Sequence, residues 1–274
     1  YVDTITVRRN RVCHKIVWNT QYLDECSAVI IKEVIQLGAR VVFHIDFDYF
    51  YAQCEEIRKP ELKTAPVCVC VFSDRGGDSG AIATANYIAR KFGVKSGMPI
   101  SFAKKRLEER KDAVFLPVDF EHYLEISEEV MNIIKENADI FEYVGKDEAY
   151  LDVTNRVEGN FDKASHMAQQ IKNSIRDKVK LSCSIGVSSN KLIAKIASDF
   201  RKPDGLTVVT PERVEEFLEQ LKIRAIPGIG KKTEEIFTQM NFETISDLKK
   251  LDVFTLNKEL GRKHGTYIFN AVRG

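Results

Sequence analysis

Between residues 41 and 188 the apolar residues change period in a set order, and that order leaves few folds open. The run at 41–48, "VVFHIDFD", is short and largely apolar and reads as a strand. "EHYLEISEEVMNIIKENAD" carries Ile126, Val130, Ile133 and Ile134 on one face of a helix. "FEYV" and "AYLDVT" read as strands that meet at "GKDE". "DKASHMAQQIKNSIRDK" turns Ala164, Met167, Ile171 and Ile175 inward along a second helix, and "KLSCSIGVSS" alternates with Leu181, Cys183, Ile185 and Val187 on one side. The order is β, α, β, β, α, β. That is the ferredoxin-like arrangement, an α+β fold with an antiparallel sheet covered by two helices. One irregularity interrupts it: an insertion of about 70 residues after the first strand, rich in Gly and Ala and too long for a loop. It is expected to be a small subdomain.

Flanking segments differ in character. Residues 1–40 read as a unit of their own, with two short strands about Asn10 and a helix over 22–38 that presents Leu23, Ile30, Val34 and Leu37 and stops at Gly38. Arg8, Arg9, Arg11 and Lys15 there are either a solvated hairpin face or a phosphate-facing patch. After "RKPDGLTVV" the composition changes. "TPERVEEFLEQL" opens with Thr210 as N-cap and Pro211 at the first helical position, and short helices follow, broken by "IPGIGKK" and "LGRKHG". This is a separate helical domain.

Charge by itself selects no partner, because 41 Lys and Arg face 40 Asp and Glu for a net +1. Any binding surface must come from local patterning. The six cysteines, Cys13, Cys26, Cys54, Cys68, Cys70 and Cys183, form no C-x-x-C pair, so reduced, mostly buried thiols in a cytoplasmic protein are expected rather than disulfides or zinc. No apolar stretch approaches the ~20 residues of a membrane span. No signal peptide is visible, and because the chain opens on Tyr1 it reads as part of something longer.

The run "VFHIDFDYFYAQ" places Asp46 and Asp48 where a buried strand would carry Val or Ile. A buried carboxylate is unfavourable unless it is paired or holds a metal. In a ferredoxin-like sheet the first strand lies beside the hairpin whose turn carries Asp147 and Glu148. Three acids converging there repel unless a hard cation neutralises them, and oxygen-only ligands suit Mg²⁺. Two such ions are the arrangement for in-line displacement at phosphorus. Asp48 is expected instead to bond a backbone amide, a Lys or an Arg. In "TANYIARK", taken as helical, Thr84, Tyr87 and Lys91 share a face with Arg90 beside it, a set able to grip a polyphosphate or to face solvent. Gly80, Ala81 and Ala83 are small enough for close packing, and Tyr49, Phe50 and Tyr51 are core by default.

"HIDFDYFYAQ", "ATANYIARKFGVKSGMPI", "DEAYLDVT", "SIGVSSNKLIAKIASDFRKPDG" and "IPGIGKKT" occur in the order of one family and run from residue 42 nearly to the end. Together they resemble the Y-family DNA polymerases, most of all the archaeal DinB-like group. The resemblance implies a template-directed, low-fidelity DNA polymerase that adds dNTPs opposite damaged template bases. It implies a palm from residues 41–50 and 119–208, fingers from 51–118, a helix-hairpin-helix thumb from 209–274, an N-terminal extension over 1–40, and a C-terminal little-finger domain that this chain lacks. Asp46, Asp147 and Glu148 become the metal-binding acids, with the carbonyl of Phe47 as a further ligand to two Mg²⁺ ions, or Mn²⁺ in their place. Tyr49, Phe50, Tyr51, Thr84, Tyr87, Arg90 and Lys202 bind the nucleotide, with Tyr51 as the gate against a ribose 2′-hydroxyl. Gly80, Ala81 and Ala83 line the nascent base pair. Gly228, Gly230, Lys231 and Lys232 meet a DNA phosphate, and "LGRKHG" is a second, weaker turn of that kind. Primer-template DNA and dNTP are the implied partners of a monomer, with a sliding clamp for the full-length protein and no membrane. One departure is that Gly145 and Lys146 stand where the family has Ser and an aliphatic residue; Gly suits a tight turn, and Lys146 either points away, weakens metal binding or faces a phosphate. Two other classes use parts of this pattern: a nucleotide cyclase with the same sheet and acids, and a non-catalytic protein that binds duplex DNA by the helical domain alone.

Overall fold

The computed structural model describes residues 39–274 apart from Arg75. The strands expected about Asn10, the helix expected over 22–38, the basic cluster of Arg8, Arg9, Arg11 and Lys15, and Cys13 and Cys26 lie outside the described residues.

Strand β1 (Val42–Phe47) is the middle strand of a five-stranded sheet. β6 (Glu148–Asp152) pairs with it on one side and β7 (Cys183–Ser188) on the other, both antiparallel. β5 (Ile140–Gly145) continues the hairpin beyond β6, and β8 (Leu206–Val208) adds a parallel strand beyond β7. The four strands β5, β6, β1 and β7 stand in the expected ferredoxin-like order, and β8 is an added edge.

Strand periodicity decides which face each β1 residue takes. Phe43, Ile45 and Phe47 enter the main core with Tyr123, Val130 and Ile134 of helix α4 (Phe120–Lys135) and Ile171 and Ile175 of helix α5 (Phe161–Val179). His44 and Asp46 therefore face the other way, where helix α6 (Lys191–Phe200) lies. That third helix changes the reading of β7. Its Cys183, Ile185 and Val187 are buried as the alternation predicts, but Ser184 and Ser188 on the opposite side are buried too. At Gly186 an added Cβ would come 1.9 Å from the Ala194 carbonyl oxygen, so the helix seats directly on the strand.

The insertion after β1 comprises helix α1 (Phe50–Arg58), strands β2 (Val67–Phe72) and β3 (Gly80–Ala85), helices α2 (Tyr87–Lys91) and α3 (Ile100–Arg106), and strand β4 (Val114–Pro117). β3, β2 and β4 form a separate sheet over a small core of Cys68, Cys70, Ile82, Val94, Ile100 and Leu107. The helix expected from "TANYIARK" begins only at Tyr87. Thr84 belongs to β3, paired with Val69, because the ladder to β2 runs on through Ala85 and Asn86 then starts the helix by accepting from the Ala89 amide. Cys54, Cys68, Cys70 and Cys183 are buried free thiols, and burial pushes the Cys183 thiol up to about 12.

Past β8 the chain is helical. Thr210 and Pro211 open a 3-10 turn (Pro211–Arg213) rather than an α-helix, and the Thr210 side chain makes no capping bond. Helices α7 (Val214–Glu219), α8 (Lys231–Gln239), α9 (Ile245–Lys249), α10 (Val253–Leu260) and α11 (Arg262–Ala271) follow. Their core, with Phe237, Leu248, Leu256 and Ile268, also takes in Ile193 and Ile196 of α6. Helix α6 thus joins the sheet to the helical region. No helix among the described residues is long and apolar enough to cross a membrane.

Candidate active site

Residues 146 and 147 make the turn between β5 and β6, and β6 pairs with β1 so that Glu148 stands opposite Asp46. The Phe47 amide donates to the Asp147 carbonyl over 2.8 Å, which holds the turn against the end of β1. Asp46 and Asp147 consequently line one cleft of about 290 Å³, together with Phe47, Tyr49, Phe50, Tyr51, Ala83, Thr84, Tyr87, Arg90, Ser96 and Lys202. Sequence positions from 46 to 202 meet there.

Electrostatics of the acids differ one from another. Burial raises the Asp46 carboxyl to about 6, against the pull of Lys202, whose Nζ lies 2.6 Å from Asp46 Oδ1 and 2.8 Å from Asp199 Oδ1. Burial works against the Lys202 charge, but Asp46 and Asp199 outweigh it and hold the ammonium well above its usual range. Asp147 is raised by burial, and the Glu148 charge adds to this. Glu148 goes the other way, down to about 2, because of its hydrogen bonds to His44 and then to Lys195. His44 is fully buried, with Nε2 3.1 Å from Glu148 Oε2 and Nδ1 2.7 Å from Ser198 Oγ. Burial lowers its pKa.

The three acids therefore share the end of the sheet without facing one another. Asp46 and Asp147 point into the cleft, whereas Glu148 turns back to His44 and Lys195. Among the described residues no three His, Cys, Asp or Glu side chains form a ready cage. The expectation of three converging carboxylates placed no cations between them; Lys195 on α6 and Lys202 just beyond it supply that neutralisation. The donor set still fits a hard divalent ion. Asp46 and Asp147 offer oxygen only, and both are held above the ordinary carboxylate range by burial, which a bound cation relieves.

Aromatic residues wall the cleft. Tyr51 stacks on Tyr123 with centroids 4.6 Å apart, and Phe120 meets its edge at 6.0 Å. Phe50 is buried in the main core. Tyr49 sits at φ +37°, donates its hydroxyl to Glu56, and meets Tyr87 edge-on at 5.3 Å. Arg90 lies over the Tyr87 ring and donates Nε to the Ala85 carbonyl, so its guanidinium is anchored at the cleft wall. Thr84 reaches the cleft from its strand. A register shift opposite Val69 and Cys70 breaks the alternation of β3, so that Ile82 and Ala85 are both buried while Ala83 and Thr84 both line the cleft. Lys91 is exposed and takes no part in the lining.

Gly80 and Ala81 lie further along β3, outside that lining. Gly80 has its own reason to be glycine, with φ +134° and a would-be Cβ 2.2 Å from the Val71 carbonyl oxygen. Gly145 is not in a left-handed conformation, so the turn does not depend on it in the way a tight glycine turn would. Lys146 points away from the acids, its Nζ 4.8 Å from the centroid of Phe120, and its carbonyl accepts from Ser127. Asp48 bonds as expected of a structural acid, accepting from the Asp204 amide at 2.7 Å and from Ser182 and Ser184.

His44, Ser96, Lys195, Ser198 and Asp199 were not singled out from sequence. A signal for some of them exists: His44 shares the strand face of Asp46, and Lys195, Asp199 and Lys202 recur at i, i+4, i+7.

In the helical region, Gly228 has φ +89° and Gly230 starts α8 with no side-chain cap and open space around it. Beside it stand the highly exposed Lys231 (84 %) and the exposed Lys232. Gly261, at φ +80°, starts α11 in the same way. Tyr267 of α11 donates its hydroxyl to the Pro227 carbonyl, tying that helix to the first turn.

Residues 45–199 match the family model described as the impB/mucB/samB family, and residues 224–274 match that of the DNA polymerase-iota thumb domain. The chain is 79 % identical over 238 residues to the DNA polymerase IV of Nitrosopumilus maritimus, covering 87 % of this chain and 65 % of that protein. It is 46 % identical over 241 residues to the DNA polymerase IV of Methanosarcina acetivorans, covering 86 % and 65 %. It thus spans just under two thirds of the length of these curated relatives. Two solved structures, an insertion ternary complex of Dbh DNA polymerase and a Y-family DNA polymerase chimera, are each similar with a TM-score of 0.79, 41 % identity, and coverage of 85 % of this chain and 67 % of theirs.

Proposed function

The chain belongs to the impB/mucB/samB family of Y-family DNA polymerases, and from that premise we propose that it is the catalytic part of a template-directed, lesion-tolerant DNA polymerase. The observation that carries this is the single cleft in which Asp46 and Asp147 meet Tyr87, Arg90 and Lys202. Acids that suit divalent ions stand beside cations and hydroxyls that suit a triphosphate. A cyclase reading would leave the paired glycine-lysine turns of the helical region without a task. A purely DNA-binding reading would leave the buried acids of β1 and the β5–β6 turn without one.

Asp46, Asp147 and the Phe47 carbonyl, joined by Glu148 once it gives up His44 and Lys195, would hold two divalent ions, Mg²⁺ with Mn²⁺ as substitute, which when bound activate the primer hydroxyl and neutralise phosphate charge. The remaining roles belong to the chain itself. Arg90, Tyr87, Thr84 and Lys202 orient the β- and γ-phosphates, with Arg90 able to hold two oxygens at once. The Tyr51 ring, fixed by Tyr123 and Phe120, occupies the space a ribose 2′-hydroxyl would need. Tyr49 and Phe50 fix the entry to α1 from which Tyr51 projects. The small side of β3, Gly80, Ala81 and Ala83, leaves room over the new base pair. Residues 41–50 and 119–208 act as palm, 51–118 as fingers and 209–274 as thumb, with Gly228, Gly230, Lys231 and Lys232 on the DNA backbone. Primer-template DNA and dNTP are the substrates, and damaged template is the setting, which makes the chain a DNA repair and damage-tolerance enzyme.

Primer extension with Mg²⁺ and all four dNTPs tests the reading. Extension by the parental chain and none by Asp147→Ala is the expected result. A parental chain that binds duplex DNA without adding a nucleotide would overturn it.

A further inference from the structure

Lys202 comes from a stretch without secondary structure, the five residues "RKPDG" between the end of α6 and the start of β8. A lysine on an unbraced loop would sample many positions and lose its place at Asp46. The loop is braced at its far end by residues to which nothing above gives a task. Lys172, on α5, is only 3 % exposed, and its ammonium donates to Asp204 Oδ1 at 2.8 Å, the Gly205 carbonyl at 3.0 Å and the Cys183 carbonyl at 2.8 Å. Two of these three acceptors belong to the loop. Asp204 is held from the opposite side as well, since its amide donates to Asp48 Oδ2 at 2.7 Å. Asp48 is itself 1 % exposed and is fixed by Ser182 and Ser184. Arg176, one turn after Lys172 on α5, donates to the second Asp204 oxygen. Asp204 adopts φ +54°, in the left-handed region that aspartate enters more readily than most residues.

Stability alone is a poor reason for this arrangement. A buried ammonium gives up its hydration, and a buried ion pair replaced on both sides by apolar groups is often no less stable. What the charge adds is direction: three donors aimed at fixed acceptors specify where the loop runs. We propose that Lys172 and Asp48 are positioning residues that clamp the loop through Asp204 and so hold Lys202 where the phosphates of an incoming nucleotide bind. The second aspartate of "DFD" thereby acquires a role distinct from the first: Asp46 serves the cleft, and Asp48 anchors the loop that delivers the cleft's lysine. The inference rests on the nucleotide-binding reading of the cleft and goes beyond it by assigning the residues that place Lys202.

The test is a double-mutant cycle read as the Kd for dATP in the presence of Mg²⁺, on the full chain, with thermal unfolding recorded for each variant. Lys172→Met and Asp204→Ala should each weaken dATP binding by about tenfold, the loss of one well-placed charge-assisted contact. In a Lys202→Ala background Lys172→Met should weaken it no further, because the group it positions is gone. A structural effect alone would lower the melting temperature and leave the cycle additive. Unchanged dATP binding in Lys172→Met, or in Asp204→Ala should the former not fold, overturns the inference, and so does full additivity with Lys202→Ala. A parental chain that binds no dATP overturns it together with the reading of the cleft. If dATP binds but no primer is extended, the polymerase reading falls while the cycle still decides the role of Lys172.

Discussion

Lys202 Nζ and Asp46 Oδ1 lie 2.6 Å apart in the cleft, joining the end of β1 to the loop after α6. The pair brings the carboxylate expected to hold metal and the ammonium expected to hold phosphate into direct contact. A nucleotide and its ions would therefore exchange one ion pair for others within the same cleft, and no side chain need cross the molecule.

Replacing Asp46, Asp147 or Glu148 with Ala should lower the rate of primer extension by about three orders of magnitude or more, since metal ions supply several kcal/mol of charge stabilisation and each ~1.4 kcal/mol is tenfold. Duplex binding should persist, because the helical turns lie apart from the acids. Single-turnover extension and a gel-shift titration on the same variants check both halves.

Tyr51→Ala should raise the ratio of rNTP to dNTP incorporation by roughly tenfold or more, as removal of a steric block does for a substrate with one extra hydroxyl. The measurement is competitive incorporation on a single template position. A ratio equal to that of the parental chain would place the gate elsewhere.

Glu148 gives a pH signature. Its carboxyl falls from the ordinary 4.5 to about 2 through His44 and Lys195. A group depressed in the folded state adds stability above its unfolded value and loses it as pH falls toward the folded value. Glu148→Gln should therefore melt several degrees below the parental chain at pH 7, on the order of 1–3 kcal/mol for a charge-assisted pair. The gap should close as pH drops from 4.5 toward 2. Melting curves across that range check it; a gap that stays constant would mean the variant acts by packing alone.

Gly186→Ala tests the seat of α6 on β7. The new Cβ would lie 1.9 Å from the Ala194 carbonyl oxygen and 2.4 Å from the Ser198 amide, both backbone atoms that cannot swing aside. A loss of roughly 3 kcal/mol or more is expected, the range of severe overpacking. Urea unfolding measures it.

Lys231→Glu and Lys232→Glu should weaken DNA binding regardless of sequence. Each lost phosphate contact should flatten the plot of log affinity against log salt by about 0.9. Titrations at several salt concentrations read the slope, and an unchanged slope would remove these lysines from the interface.

Local pattern carried much of this molecule. The alternation at Phe43, Ile45 and Phe47, the helical stripes through Val130 and Ile134 and through Ile171 and Ile175, and the turn between Tyr143 and Glu148 are short-range signals, because side-chain direction repeats with the element's own period. From these the β, α, β, β, α, β order followed, and with it the placing of Asp46 beside the turn that carries Asp147. Asp48 was also legible as a structural acid, since a carboxylate in an apolar run must find donors.

Other features were decided only by the tertiary structure. Thr84 lies in a strand because β2 offers it a partner, a contact no local propensity contains. The register shift opposite Val69 and Cys70 turns Ala83 and Thr84 to the cleft together, against strict alternation. Gly145 has a backbone that other residues adopt, although the turn suggested a need for glycine. Above all, the charges around the acids were invisible along the chain: Lys195 is 47 residues from Glu148, and Lys202 is separated from Asp46 by most of the sheet domain, yet each bonds to its acid. A charge responds to whatever stands within a few ångströms, so its state is a property of packing. Sequence could name the acids; only the fold that brings α6 and its following loop across β1 sets which of them is pushed up to about 6 and which is drawn down to about 2.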